Sequence, residues 1–405
     1  MPDMKYSGIE WIGSIPKDWK INRLKYDINC YDGKRIPIDA SLREEGPYPY
    51  WGAGSVMDYV NDYIFNEEIV LLGEDGAPFF DEYRAVAFLI NEPVWVNNHI
   101  HVIKGNKNII NKYLTYFLNI VKYDVYINGS IINKLTQGNM NNINITLPKL
   151  KEQQLIVDFL DCKISKIDNI LEDLNSQIEL LNYYKKSLIK ETVTKGLSTN
   201  VKMKKSDIDW IGDIPKHWDI YYLKHLFKMF AGGDVDEYDF SEEYSAVTPY
   251  PIYSNSLEND GLYGYMSKYR FSGNTFTVTG RGDVGKAISR NNKYYPIVRL
   301  LVCVPIFEDD TRYYSYCVNS ADLLGEQTAM AQLTTQKLGI NKFPRPPIDE
   351  QKKIADYLDI KCKEIDDLIK NKQEQIEKMK QYKKSLIYEY VTGKKRVKGA
   401  EELYG

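Results

Sequence analysis

This chain contains a copy of itself, and nothing else in the sequence limits its fold as strongly. YSGIEWIGSIPKDWKINRLK at residues 6–25 is answered by KSDIDWIGDIPKHWDIYYLK at residues 205–224, displaced by 199 residues from Trp11 to Trp210. A second pair lies further along: EQQLIVDFLDCKISKIDNI from Glu152 matches EQKKIADYLDIKCKEIDDL from Glu350, and YKKSLIKETVT from Tyr184 matches YKKSLIYEYVT from Tyr382. Roughly half the positions of this second pair are identical. Self-similarity at a fixed period marks a duplicated unit, here about half of the 405 residues. The matched arms stayed alike after duplication, whereas the stretches between them diverged.

The alike arms have the pattern of long helices. In the first, Ile156, Leu160, Ile164, Ile167, Leu171, Leu174, Ile178, Leu181 and Leu188 fall mostly at alternating steps of four and three, a coiled-coil seam. The second keeps that spacing with Ile354, Leu358, Cys362, Ile365, Ile369, Ile376, Met379 and Leu386, interrupted once by Lys372. No Gly or Pro falls within residues 152–195 or 350–392, so nothing breaks either helix. At about 1.5 Å per residue each arm makes a rod of roughly 60 Å. Each rod has one apolar stripe, and the other rod is its natural cover. A pseudo-two-fold axis would pair the rods antiparallel and hold the divergent zones apart. The competing reading is a surface helix folded onto its own domain.

The divergent zones, residues 20–147 and 219–346, have the composition of mixed α/β domains. Residues 68–72, 83–90, 94–103, 275–279 and 298–306 are expected as strands, and residues 108–122 and 320–331 as short helices. The expected class is therefore α+β: two mixed α/β domains separated by two long helices forming an antiparallel coiled coil. The boundaries are a first domain with its N-terminal arm over 1–147, a helix over 148–197, a second domain with its arm over 198–346, a helix over 347–395 and a tail over 396–405.

TFTVTGRGDVGKAI, residues 275–288, spells the G-x-x-x-x-G-K spacing of a phosphate-binding loop from Gly280 to Lys286. Such a loop needs a helix directly after it and a Ser or Thr for magnesium. Here Ala287 holds that position, and the residues after it have strand composition with an Asn-Asn turn. The matching turn of the first copy, LLGEDGAPFF, has Ala77 and Pro78 in place of Gly-Lys. A hairpin turn that carries Arg281 and Lys286 outward is the better reading. Lys268, Arg270, Arg281, Lys286, Arg290, Lys293 and Arg299 interleave with Tyr263, Tyr265, Tyr269, Tyr294 and Tyr295, the footprint of a nucleic-acid surface. The first copy offers a comparable patch: Asn97, Asn98, His99, His101, Lys104, Asn106 and Lys107 combine base-reading donors and acceptors with phosphate-holding lysines. Alternation puts His99 and His101 on one strand face. Two such histidines also suit a metal, but no third ligand is evident, so none is expected; for each His alone, an ordinary hydrogen-bonded strand residue stands beside the base-reader reading.

Composition sets outer limits. Hydrophobic residues at 43% and charged residues at 27% indicate a soluble globular chain. No apolar run reaches the roughly 18 residues of a membrane span, and MPDMKYSGIEW has no signal-peptide core, so a cytoplasmic location is expected. Cys30, Cys162, Cys303, Cys317 and Cys362 form no C-x-x-C pair and are expected as reduced, semi-buried fillers. A net charge of −3 is unlike a free-standing DNA binder and suits partners that complete the grip on DNA.

W-I-G-x-I-P-x-x-W, a variable domain, then P-x-x-x-E-Q-x-x-I leading a long helix that ends Y-K-K-S-L-I, all twice, resembles the specificity subunits of type I restriction-modification enzymes. The resemblance covers essentially the whole chain. It implies two target recognition domains reading the halves of a split, asymmetric double-stranded DNA site, and helices that measure the gap and dock two DNA methyltransferase subunits, joined by restriction/translocase subunits. It also implies that S-adenosylmethionine, ATP and Mg²⁺ belong to those partners, this chain holding no cofactor and no catalytic residue. GEDGAP, with Asp75, and WVNNHIHV resemble one of the family's recognition types. GSIINKLTQGNM at residues 129–140, with Ser130 and Lys134, and GEQTAMAQLTTQKL at residues 325–338, with Gln327, resemble the family's exit from the recognition domain. A coiled-coil scaffold that binds proteins without reading DNA is the alternative.

Overall fold

The computed structural model describes residues 3–127, 133–235, 237–321, 323 and 332–399. The chain divides into two compact units, Met1–Asn175 with Gln373–Gly405, and Ser176–Lys372. Each unit holds one mixed domain, the start of one long helix and the end of the other.

The first domain is built on a four-stranded antiparallel sheet of β1 (Ile28–Cys30), β2 (Ile69–Gly73), β3 (Ala87–Ile90) and β4 (Ile100–Gly105), in the order β1-β4-β2-β3. All five residues of β2 are buried because both sheet faces are covered. Val70, Leu72 and Ile103 pack with Tyr113, Leu114, Phe117 and Leu118 of helix α1 (Asn111–Leu118). On the opposite face Ile69, Leu71, Ile100 and Val102 meet Phe65, Val94 and Val96, beside a small sheet of Tyr48–Trp51, Val56–Val60 and Trp95–Val96. Helix α2 (Leu150–Lys195) then runs 46 residues. The second domain repeats the plan with β5 (Phe227–Ala231), β6 (Thr275–Val278), β7 (Ala287–Arg290) and β8 (Leu301–Pro305), order β5-β8-β6-β7, and helix α3 (Thr311–Ser320). Helix α4 (Ile348–Val391) closes the copy with 44 residues. Among the described residues no helix is long and apolar enough to cross a membrane.

The long helices pair antiparallel within each unit. In the first, Phe159 of α2 packs on Tyr390 of α4 at 4.4 Å between ring centroids, and Asp168 bonds Lys383. In the second, Gln177 accepts from Lys372 and Asp366 from Lys185, so the seam's lone Lys372 is satisfied across the pair. Ile156, Leu160, Ile164, Ile167, Leu174, Ile354, Leu358, Ile365 and Ile376 are buried, and Leu171, Ile178, Leu181, Ile369 and Met379 are partly buried.

The retained Glu-Gln pair at each helix start explains the duplicated motifs. Trp19 donates its indole N–H to Glu152 at 2.9 Å, and Trp218 donates to Glu350 at 2.9 Å. Gln153 accepts the N–H of Ile110, which precedes α1, and donates to Asn108 O and Pro148 O. Gln351 accepts the N–H of Asp310, which caps α3, and donates to Pro346 O and the Asp309 carboxylate. The end of the other arm is held as well: Tyr113 donates to Val391 O in the first unit and Tyr313 to Val193 O in the second.

Several expectations are corrected. The short helix the structure describes in this domain is α3, which the Asp310 carboxylate caps at the N–H groups of Arg312 and Tyr313 and which ends at Ser320; the helix expected over residues 320–331 falls mostly on residues 322 and 324–331, which lie outside the described set. The strand expected over residues 94–103 is broken into Trp95–Val96 and β4, which belong to different sheets. The Asn97 side chain accepts the Asn98 N–H at 2.6 Å and turns the backbone there. The strand expected over residues 83–90 begins only at Ala87. Cys162 is exposed rather than semi-buried.

The two equivalent glutamates differ in burial. Glu152 also binds Arg396, and its side chain is 1% exposed; Glu350 binds His217 and is 38% exposed. Glu152→Ala is expected to destabilise the first unit by about 3 kcal/mol, because it strips a buried N–H of its acceptor and Arg396 of a buried carboxylate partner. Glu350→Ala should cost about 1–2 kcal/mol, mainly through the Trp218 N–H. Urea denaturation combined with hydrogen exchange of each domain's core amides checks the difference.

Candidate nucleic-acid interface

In the first unit three segments meet at one end of the central sheet. After β2 the chain turns through Glu74-Asp75-Gly76, with Gly76 at φ 73. The N–H groups of Glu74 and Asp75 donate to His99 O at 3.1 and 3.3 Å, Leu135 donates its N–H to Glu74 O at 2.9 Å, and Gly76 donates to Asn133 O at 2.9 Å. These bonds bring together three side chains that are distant in sequence. Asp75 accepts from Lys134 at 3.0 Å and from His99 at 3.2 Å, and both donors remain about half exposed. Partial burial raises the Asp75 carboxyl, but bonds from Lys134 and His99 outweigh it and hold the group below the usual carboxylate range. The same contact with Asp75 raises Lys134.

Beneath this surface lies a buried charge network. His101 is fully buried, with Nδ1 against Asp32 at 2.6 Å and Nε2 against Leu135 O at 2.8 Å. Arg35 donates to Glu74 at 2.6 Å and Ile100 O at 2.9 Å, and lies 3.6 Å from Asp32. Ligating atoms of Asp32, Glu74 and His101 lie within 4.8 Å of one another. The Arg35 guanidinium already supplies the cation those carboxylates need, so the cluster is a closed ion-pair network rather than a metal cradle. Burial raises the Asp32 carboxyl, but His101, the Val102 N–H and Arg35 together leave it lowered.

The site residues expected in this unit therefore separate. Asp75, His99 and Lys134 meet, with Asn98 exposed beside them. His101 and Asn97 are corrected from base readers to framework: both faces of β4 are covered, so alternation carries His101 into the core, and Asn97 is 7% exposed. Lys104, paired with Glu67, and exposed Lys107 lie at the far end of β4, about 15 Å or more from His99 by strand rise. Ser130 and Gln327 lie outside the described residues.

In the second unit Gly280 to Lys286 is a hairpin turn between β6 and β7, which pair from Thr275↔Arg290 to Val278↔Ala287. The chain leaves the turn directly into β7 rather than into a helix, and the phosphate-loop reading falls with it. Thr279 ties the turn by accepting the N–H of Gly285 on its carbonyl and that of Lys286 on its hydroxyl. Arg281 and Lys286 are exposed on it. Arg290 is corrected from DNA contact to framework: it is 5% exposed, donates to Thr277 and Asp260 O, and stacks 3.6 Å over Tyr253. Lys268, Arg270 and Lys293 form a separate exposed patch, with Lys293 over Tyr269 and Arg270 over Phe271. Sequence reasoning left Arg35, Glu74 and Gln332 out and kept Arg299 only as part of a basic stretch. The available signal for Gln332 was the match of KLTQ at Lys134 with QLTT at Gln332, displaced by 198 residues.

The chain is a doubled domain with unlike loop surfaces in its two copies, and comparison with known proteins identifies the class. The family described as type I restriction modification DNA specificity domain matches residues 16–180 and again residues 215–378. The chain belongs to that family, the specificity subunits of type I restriction-modification systems. The putative type I restriction enzyme MjaX specificity subunit of Methanocaldococcus jannaschii is 28% identical, with 96% of each chain covered. The MjaVIII specificity subunit of the same organism is 26% identical over 95% of this chain and 94% of its own. A chain solved in work on complex assembly and conformational transition of the type I R-M system matches with a TM-score of 0.70, covering 93% of this chain and 98% of that one at 13% identity, a likeness of fold.

The lowered Asp32 has a measurable consequence. A carboxylate whose folded pKa lies below its unfolded value, about 3.9, contributes stability above that pH and loses it as pH falls through the folded value. Asp32→Asn is expected to destabilise the first unit by about 2 kcal/mol at pH 7, and the gap to wild type should narrow below about pH 4. Urea titrations across pH, with hydrogen exchange of the β4 amides, check it.

Proposed function

We propose that the chain is the non-catalytic DNA reader of a type I restriction-modification complex, in which each domain reads one half of a split, asymmetric duplex target. The observation that carries this reading is a single framework used twice with unlike side chains at the same sheet end: Asp75, His99 and Lys134 in one domain, Arg281 and Lys286 in the other. A quasi-symmetric scaffold with unlike readers suits an asymmetric target. The exposed patch of Lys268, Arg270 and Lys293 suits phosphate contacts, which hold register without specifying bases.

The helices serve as ruler and dock. Two methyltransferase subunits bind along them and restriction/translocase subunits complete the complex; S-adenosylmethionine, ATP and Mg²⁺ are used by those partners. Leu180, Ile360 and Leu368 are half or more exposed on the long helices, which is what a docking surface requires. With a net charge of −3, the isolated chain should bind DNA weakly and lose that binding steeply with salt. The partners supply the remainder of the grip.

Reconstitution with the methyltransferase subunits, read by sequencing methylated sites in a random DNA library, tests the proposal. The expected product is a two-part asymmetric motif with a fixed spacer; methylation without such a motif would overturn it. One heptad inserted after Asn175 and one after Lys372 lengthen the paired helices by about 10 Å. The spacer should grow by about three base pairs at roughly 3.4 Å each, and an unchanged spacer would refute the ruler.

A further inference from the structure

Strand register matches the two sites position by position. Leu72 pairs with Ala87 and with His101 in the first sheet; Val278 pairs with Ala287 and with Leu301 in the second. Counting out from these matched pairs, Asp75 corresponds to Arg281 and His99 to Arg299. The third segment fits the same frame: Leu135 donates its N–H to Glu74 O, and Leu333 donates its N–H to Gly280 O at 3.2 Å, so Lys134 corresponds to Gln332. Three matched positions from three separate segments thus converge at the same sheet end in both units.

The chemistry at these positions is inverted between the copies. In the first, an ionised carboxylate at Asp75 sits at the centre, bridged by His99 and Lys134. In the second, Arg299 donates from Nη1 to the Gln332 side-chain oxygen at 2.9 Å, which among the described residues leaves its other N–H groups and the Gln332 amide hydrogens as donors. Arg281 stands exposed on the adjoining turn. The acidic Glu74 of the first copy is Gly280 in the second, where a Cβ would lie 2.5 Å from Arg299 O and 3.1 Å from Leu333 O. Exchanging Glu for Gly therefore removes a charge and lets the Arg299 loop close on the turn. Arg299 itself is held at φ 69, with Asn255 bonding both Val298 O and the Gly280 N–H. A non-glycine residue in that conformation, tied on both sides, is a preorganised side chain rather than a mobile surface arginine.

We infer that these three matched positions set base specificity in each domain, and that the second domain reads guanine through Arg299 and Arg281. Guanine presents two acceptors, O6 and N7, to the major groove, which a guanidinium fork meets with two donors. Gln332 orients Arg299 by holding one of its nitrogens and acts as a positioning residue. The inference rests on the proposed DNA-reading function and adds to it which side chains read and the base class they take.

The test uses the full complex with its methyltransferase subunits on a random DNA library. Arg299→Gln and Arg281→Gln should each lower methylation of the wild-type target roughly 10- to 100-fold and relax preference for guanine within the second half-site, leaving the first unchanged. Asp75→Asn should alter the first half-site alone. Arg299→Lys keeps the charge and loses the fork: it should fail to restore guanine preference if Arg299 reads a base, whereas full restoration would mark a phosphate contact and overturn the inference. Uniform loss with an unchanged motif, or a second half-site without guanine, would overturn it equally. Gln332→Leu should raise KM for DNA more than it lowers kcat while guanine preference relaxes; an intact preference would remove Gln332 from the proposal. Unchanged thermal melting excludes misfolding as the cause. Failure of the wild-type complex to yield any split motif would instead sink the underlying functional reading, so the two failures are separate.

Discussion

The structure depends on a polar lock, fully buried in the first unit and partly buried in the second, between each domain and the long helix that leaves it. Trp19 with Glu152, and Trp218 with Glu350, join the N-terminal arm of each unit to the first turn of a helix, while Gln153 and Gln351 reach the cap of the domain's own short helix. Buried donors and acceptors without partners are costly, so these contacts admit little change of angle or register. They convert an apolar seam, which by itself tolerates sliding, into a fixed joint. Tyr113 and Tyr313 do the same for the far ends of the partner helices. The motifs retained through duplication are those that make the joints.

With the joints fixed, the domains were free to diverge elsewhere. Both units keep the antiparallel sheet, the short helix behind it and the three segments that converge beyond one sheet end. Side chains presented there carry no packing duty comparable to the joints. A carboxylate centre in one copy and an arginine pair in the other therefore coexist with the same backbone. This separation of frame from reader is what a family of DNA-specificity proteins requires, since recognition can change without rebuilding the scaffold.

The interior of the first site has its own logic. Arg35, Glu74, Asp32 and His101 form a closed ion-pair network under the exposed trio. Such a network is weak as a source of stability but strong in fixing geometry, because removing any member leaves a buried charge with fewer partners. In the second copy the buried Leu301 stands at the place of His101. Its surface is ordered instead by the tied Arg299 loop.

Duplication, the two long helices and the seam that pairs them were legible in the sequence, because each rests on periodicity and periodicity survives without coordinates. The Gly280 hairpin was legible too, since Ala287 and the strand composition after it contradict a phosphate loop. Which polar residues stay at the surface was not. Alternation says that His99 and His101 share parity, but only the tertiary structure shows that both faces of β4 are covered and that His101 is internal. Arg290 reads as one more cation in a basic stretch until Tyr253, Thr277 and Asp260 are seen enclosing it. Arg299 and Gln332 are 33 residues apart and meet only because a turn, a loop and a distant segment converge on Gly280. Local pattern determines elements and their apolar faces; convergence of segments far apart in the chain is settled by packing, which no window of sequence contains.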